Sequence, residues 1–384
     1  MQNTFGVGEK IYSAENPLII AELGTSHGAE AGKARDLIDA AAEAGAGCVK
    51  FQMVYADEIL HPNTGQVRLP GGMIRLYDTF KKLETAPGFF AGMKKYAEKR
   101  GLLFLCTPFG ERSADELASL DPALFKIASP ELNYTSLLAR IASYKKPVLL
   151  STGVSRLGDI EEALETLRGA GNGAAAGGEQ AVLPQDLPVC LLHCVTAYPA
   201  PETDYNLRVL RGLRAVFGVS AGVSDHSLDP ELVPCLTIAM GGLVIEKHFC
   251  LSRTDGGLDD PIALPPAEFR RMVLAVKKAA GMESGALVKE LARERGEALV
   301  QAVLGDGVKR LAAPERANYE RTNRSLHALK DIERGEIFRA DMLGALRTEK
   351  ILRPGLPPSW AEKIIGRTAR QFIPAGEGIR FEDV

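Results

Sequence analysis

Between residues 17 and about 282, eight short apolar runs alternate with eight stretches of helical periodicity, and few folds can accommodate that. The runs are 17–22, 48–53, 102–107, 124–128, 147–151, 189–195, 220–224 and 243–248. Most are continuously apolar, as strands covered on both faces must be. The intervening helices are expected at 31–44, 89–100, 113–120, 134–143, 157–168, 207–216, 230–240 and 266–280. Eight strand–helix units of this length suit an α/β protein of the (β/α)8, or TIM-barrel, class. An open dinucleotide-binding sheet would need a glycine-rich turn after its first strand. Gly24-Thr25-Ser26-His27-Gly28 is a poor match to one.

The rhythm breaks in three places. Residues 55–85 read as a long polar loop. The segment 169–187, with GAGNGAAAGGEQ, reads as a flexible exposed insertion. Residues 283–321 read as one helix plus a charged linker, which makes 1–282 the barrel domain and 322–384 a small β-rich domain. Within the latter, IERGEI (332–337) and IPAGEGI (373–379) look like two copies of one unit. Each runs on to an acidic close, Ala340-Asp341-Met342 and Glu382-Asp383-Val384. About 60 residues is close to the lower limit for independent stability, so this domain is expected to dock on the barrel or on another subunit.

The net charge of -3 gives no reason to expect nucleic acid or an anionic membrane as a partner. The N-terminal stretch lacks a basic segment followed by a long apolar core, no apolar run reaches spanning length, and the cytoplasm is the expected compartment. Cysteines 48, 106, 190, 194, 235 and 250 are scattered through apolar runs and read as buried free thiols rather than disulfides or a zinc site.

In a barrel of this kind, function lies at the C-terminal ends of the strands. Those ends carry Glu22, Lys50, Gln52, Thr107, Lys126, Ser129, Ser151, Thr152, His193, Tyr198, Ser224, His226, Glu246 and His248. Two lysines with a row of hydroxyls suit a ligand bearing phosphate and carboxylate oxygens. In VIEKHF, strand alternation puts Glu246 and His248 on one face and Lys247 on the other. His226 and His248, at the same end of neighbouring strands, suit one divalent ion. Taken singly, such residues have plainer readings: a strand-end lysine is usually a loop residue, Asp225 can cap the next turn, and His61 and His327 are structural or surface histidines. Polar residues at seven strand ends together outweigh those readings, because a barrel core prefers Val, Ile and Leu.

In these residues the chain resembles the sialic acid synthase family, the phosphoenolpyruvate-dependent synthases of N-acetylneuraminate and related nine-carbon sugars. The matching motifs are IIAELGTSHG (19–28), VKFQ (49–52), CTPF (106–109), FKIASPE (125–131), LLSTG (149–153), LHCVTAYPAP (192–201), GVSDHS (222–227), IEKHF (245–249) and NRSL (323–326), in order across both domains. The C-terminal repeat is similar to the family's antifreeze-like SAF domain. The resemblance implies that His226 and His248 bind Mn²⁺ or Mg²⁺. It implies a phosphoenolpyruvate pocket of Lys50, Thr107, Lys126, Ser129, Ser151 and Ser224, with Glu22, Glu246 and Asp259 as acids around the reacting carbons. It places Gln52, Thr196 and Tyr198 against the amino sugar. Arg324 is implied to reach over a partner's barrel in a domain-swapped homodimer.

The chain departs from the family at sugar-facing positions. Thr196 and Ser26 stand where the family has Asn, Asp260 where it has His, and Ala263 where it has Ser. The acceptor is therefore open between N-acetylmannosamine, its phosphate and a 2,4-diacetamido-6-deoxy hexose. Two other functions are open: another phosphoenolpyruvate aldol synthase making a deoxy-sugar acid, and a non-catalytic carbohydrate-binding or scaffold protein. The SAF-like tail argues against the first. The intact histidines and lysines argue against the second.

Overall fold

A computed structural model describes residues 3–69, 72–170, 187–349 and 351–384; nearly all of the insertion expected at 169–187 lies outside the described residues. The eight expected strands form: β1 Leu18–Gly24, β2 Cys48–Met53, β3 Leu103–Pro108, β4 Phe125–Ile127, β5 Val148–Ser151, β6 Val189–Cys194, β7 Ser220–Asp225 and β8 Val244–His248. Each is followed by its helix: α1 Ala31–Ala44, α2 Phe89–Lys99, α3 Glu111–Ser119, α4 Thr135–Ser143, α5 Leu157–Ala170, α6 Val209–Phe217, α7 Leu232–Ala239 and α8 Pro266–Ala280. The parallel sheet runs β3-β2-β1-β8-β7-β6-β5-β4, and β3 lies against β4, so it closes nearly to a barrel.

Strand periodicity sorts the barrel interior into layers. Ile20, Cys48, Leu105, Leu149, Leu192 and Val244 make an apolar floor. Two residues further along, the same inward face turns polar at Glu22, Lys50, Thr107, Ser151 and Glu246, while β6 places the thiol of Cys194 there. The alternate residues, Ile19, Ala21, Val49 and Phe51 among them, pack outward against the apolar stripes of the helices. An antiparallel hairpin, Phe5–Val7 with Lys10–Tyr12, buries Phe5, Val7 and Tyr12 against the floor and plugs the N-terminal end of the barrel. The hairpin was not legible in the sequence, because its strands are only three residues long.

Two expectations need correction. Residues 55–85 are not an irregular loop: they hold the helices Ala56–Ile59 and Leu76–Leu83 and a hairpin, Val67–Leu69 with Gly72–Ile74. Val54, Ile59, Leu60, Leu76 and Phe109 give this excursion its own small core. The segment after α8 holds two helices rather than one, Ser284–Arg295 and Glu297–Leu304, broken at Gly296 with φ +96°.

The small domain pairs Ser325–Ala328 with Leu343–Leu346 over a separate core that includes Leu326, Ile332, Phe338, Met342, Ile373 and Ile379. Its repeat is visible in the backbone. Ile332 and Ile373 bridge to each other, Gly335 and Gly376 take φ of +90° and +93°, and 3-10 turns at Ala340–Met342 and Phe381–Asp383 close the copies. The domain docks on the barrel of its own chain. Arg347 N donates to Ile59 O at 3.0 Å and Asn63 Nδ2 to Ala375 O at 2.9 Å. Among the described residues no helix is long and apolar enough to cross a membrane.

Candidate active site

Directly above the apolar floor, inward-facing strand positions present charges that the barrel has almost wholly buried. Glu22, Lys50, Lys126 and Glu246 are each at most 4% exposed. Such burial is tolerable only when the charges are paired and hydrogen-bonded. Lys50 Nζ lies 2.8 Å from Glu22 Oε2 and 3.5 Å from Glu246 Oε1, and donates to Thr107 Oγ1 at 3.2 Å. Lys126 Nζ lies 3.8 Å from that same Glu246 oxygen and donates to Ser151 Oγ at 2.7 Å. Ser224 Oγ donates to Glu246 Oε1 at 2.9 Å, while Glu246 Oε2 is buried without a partner. Register places these groups: Glu22 lies beside Lys50 across β1–β2, and Ser224 beside Glu246 across β7–β8.

The surroundings treat the two lysines and two of the acids differently. Burial alone would lower Lys50, but Glu22 and Glu246 carry it above its ordinary value. Lys126 is pulled below its ordinary value by burial. Burial would raise Glu246, yet Lys126, Lys50 and the Ser224 hydroxyl bring it down to about 2. Asp259 is pushed up by burial.

Above this layer is the rim. The His226 and His248 rings lie 5.4 Å apart. His226 Nδ1 hydrogen-bonds to Val195 O at 3.0 Å, which leaves Nε2 as the free lone pair. Burial lowers both imidazoles, His248 to about 3, so both favour the neutral, ligating form. Asp259 Oδ2 lies 3.8 Å from His248 Nδ1. Among the described residues no set of three or more His, Cys, Asp or Glu side chains is drawn together into a complete metal centre. Two neutral imidazoles with a carboxylate nearby fit a divalent ion whose other ligands are water or substrate oxygens.

The remaining expected residues take varied places. Gln52 Nε2 donates to Glu22 Oε1 at 2.7 Å. Gly24 has φ +53°, and a Cβ there would lie 3.5 to 3.6 Å from the polar ends of Gln52, Glu22 and Asp259, so these three converge on one point. Tyr198, 48% exposed, stacks on His226 with centroids 4.3 Å apart. Ser129 Oγ accepts from Gly153 N at 2.9 Å, and Thr196 Oγ1 is buried with no partner. Ser26 Oγ donates to Asp260 Oδ1 at 2.5 Å, so two positions that depart from the family pattern bond to each other.

One expectation fails on geometry. His193 faces away from the rim: its Nε2 donates to Tyr205 O at 2.6 Å, and it borders a 380 Å³ cavity beside the linker. Arg324 of the small domain reaches over a barrel, here that of its own chain. It is wholly buried in its own chain, with Nε and Nη2 on Glu131 Oε1 at 3.0 and 2.8 Å and Nη2 on Phe109 O at 2.7 Å. Arg347 shares that carboxylate oxygen at 2.6 Å. Sequence reasoning missed Glu131, although it closes the FKIASPE motif, and it missed Arg347, which no local pattern marks.

On the outer face Lys247 makes a second buried pair, 2.7 Å from Asp225 Oδ2, its cross-strand neighbour. Asp225 is thus a partner within the sheet as well as the cap of a turn, accepting from Ser227 N at 2.8 Å. All six cysteines are buried free thiols.

Known proteins share this architecture from end to end. The chain is 32% identical to the spore coat polysaccharide biosynthesis protein SpsE of Bacillus subtilis, over 99% of this chain and 97% of that one. The crystal structure of that protein matches with a TM-score of 0.79, covering 99% of each chain. It is 32% identical to the N,N'-diacetyllegionaminic acid synthase of Campylobacter jejuni, over 94% of this chain and 98% of the relative, and 30% identical to a pseudaminic acid synthase of the same species, over 95% and 96%. Residues 323–384 match the SAF domain and residues 37–286 the NeuB family. A barrel with this charged inner layer, followed by an SAF domain, is accounted for by that match: the chain belongs to the NeuB family.

Proposed function

We propose that this protein condenses phosphoenolpyruvate with an N-acetylated amino sugar, giving a sialic-acid-like nine-carbon keto acid and phosphate. One observation carries the reading: two buried lysines converge on a single Glu246 oxygen inside a ring of hydroxyls. A site that only bound neutral sugar would have no use for two cations there. Lys50, Lys126, Thr107, Ser129, Ser151 and Ser224 hold the phosphate and carboxylate. Gln52, Thr196 and Tyr198 face the sugar.

C3 of phosphoenolpyruvate attacks the aldehyde carbon of the open-chain sugar, and the aldehyde oxygen takes up a proton. C2, left as an oxocarbenium ion, adds water; the water gives up its proton, and the tetrahedral intermediate expels phosphate by C–O cleavage. His226 and His248 would hold a divalent ion, Mn²⁺ or Mg²⁺, which supplies Lewis acidity toward the aldehyde. Glu246, held ionised between two lysines, is the fixed counter-charge. Asp259, raised by burial and beside His248, is the better-matched proton carrier. Glu22 orients Gln52 and, with it, a sugar hydroxyl.

The transferase works in the cytoplasm, where free thiols persist. It works as a homodimer. Exchange of small domains between two chains would re-form the Arg324–Glu131 seam in trans, and light scattering on the eluted protein tests the assembly.

Phosphate release from phosphoenolpyruvate with Mn²⁺, against N-acetylmannosamine, its 6-phosphate and 2,4-diacetamido-6-deoxy hexoses, tests the reaction and the acceptor together. With ¹⁸O in the bridging position, the label is expected in the phosphate. Silence with every sugar from folded, metal-loaded protein would overturn the reading.

A further inference from the structure

Glu315 sits in the segment that the sequence presents as a linker, in a 3-10 turn at Ala313–Glu315, yet it is only 1% exposed. A carboxylate on a tether would normally face water. Here Oε1 accepts from Val154 N at 2.8 Å and from Thr196 N at 2.9 Å, and Oε2 accepts from Ala312 N at 3.0 Å. Two other groups, one in the linker and one at the start of the small domain, reach the same place. Lys309 Nζ donates to Thr152 O at 2.7 Å, and Asn323 Nδ2 donates to Val154 O at 3.2 Å. The linker therefore grips the segments that leave β5 and β6.

Those segments border the anion pocket. Gly153 N donates to Ser129 Oγ, and a Cβ on Gly153 would lie 2.2 Å from Thr196 Oγ1 and 2.9 Å from Ser129 Oγ. The two hydroxyls thus flank Gly153, and the Thr196 hydroxyl is buried without a partner. The next residue, Val154, has φ +41°, a region that β-branched residues avoid. Such a conformation persists only where its surroundings over-determine it. Glu315 holds the N–H of Val154 and Asn323 its carbonyl, so both of its peptide groups are clamped, one from the linker and one from the start of the small domain.

We propose that Glu315 is a positioning residue for phosphoenolpyruvate binding: by bonding the Val154 and Thr196 amides with one oxygen, it sets the Gly153 turn, whose N–H holds the Ser129 hydroxyl in the anion pocket, beside the sugar-facing Thr196. The inference rests on the reading of that pocket given above. The linker is then part of the site, not a tether. Glu315 touches no reacting atom. A carboxylate suits the task because an ionised oxygen accepts two N–H groups more strongly than an amide oxygen does.

The test compares full-length wild type with Glu315→Ala, Glu315→Gln and Asn323→Ala. Hydrogen exchange is followed in peptides covering 152–155 and 195–197, and KM and kcat are measured for phosphoenolpyruvate with saturating sugar and for the sugar with saturating phosphoenolpyruvate. Glu315→Ala is expected to speed exchange in both segments and to raise KM for phosphoenolpyruvate about tenfold or more, with kcat less affected. Glu315→Gln keeps one acceptor oxygen and should fall between. Asn323→Ala should loosen only the first segment. Unchanged exchange in folded Glu315→Ala overturns the proposal, as does an equal loss for both substrates that follows thermal stability alone. If Glu315→Ala does not fold, the Gln variant decides by the same criteria. If wild type releases no phosphate with any sugar, the reaction reading falls, and unchanged exchange would still overturn the clamp separately.

Discussion

Replacing Lys247 with Met tests what holds the two histidine-bearing strands in register. Lys247 and Asp225 are direct cross-strand neighbours on the outer face of β8 and β7, and each immediately precedes a rim histidine. Their side chains are 1% and 0% exposed, and the ammonium also donates to Ser227 O at 2.5 Å and Ser227 Oγ at 3.2 Å. Met fills the volume of the lysine stem but leaves the Asp225 carboxylate buried without its counter-charge. Breaking a buried pair from one side costs about 3–5 kcal/mol. For a domain of this size each kcal/mol lowers Tm by about 2–4 °C, so a drop of roughly 6–20 °C is expected in a thermal melt followed by circular dichroism. The double variant Asp225→Asn/Lys247→Met removes both charges and should lose less than the sum of the single variants, by about 0.5–3 kcal/mol. If the pair also aims the histidines, Mn²⁺ affinity by calorimetry should fall about 10- to 100-fold in Lys247→Met. A melt within about 2 °C of wild type would refute the reasoning, because a buried, uncompensated carboxylate cannot be that cheap.

His226→Ala and His248→Ala should each abolish Mn²⁺ binding in a calorimetric titration, and chelator should silence phosphate release by wild type; full turnover in either variant would remove the histidines from the metal's role. Lys126→Met should lower kcat/KM for phosphoenolpyruvate by about 10²–10³ with folding retained, and an unchanged value would exclude Lys126 from the anion pocket. Burial holds His327 down at about 4 while its ring nitrogens bond to Ser325 Oγ and Gly376 O. A folded pKa below the unfolded value means that the unfolded chain takes up the proton first. Stability is then full above about pH 6.5, declines as pH falls toward about 4, and levels off below, for a total of about 3 kcal/mol. Urea melts of wild type and His327→Gln at about pH 7 and about pH 5 check this, and parallel losses in both proteins would refute it. Ellman's reagent should find almost no reactive thiol in native protein and all of them in denaturant.

Sequence alone determined the barrel, because eight buried parallel strands write a local signature: unbroken apolar runs at regular intervals. It also determined which residues face the barrel axis, since a two-residue period carries Glu22, Lys50, Ser224 and Glu246 to one side wherever the strands pair. The doubled unit of the small domain was legible for a similar reason, as Gly335 and Gly376 mark matching left-handed turns. What lies far apart in the chain was decided only on folding. Glu315 joins Val154 and Thr196 from more than a hundred residues away, and Arg324 finds Glu131 across the seam between the domains. The three-residue strands at the N-terminus gain their stability from the floor they cover and not from their own pattern. His193 looked like its neighbours in the strand-end set, yet one step of register turns it outward. Local periodicity assigns a side chain to a face, while the partner it meets there depends on how separate segments close around one another.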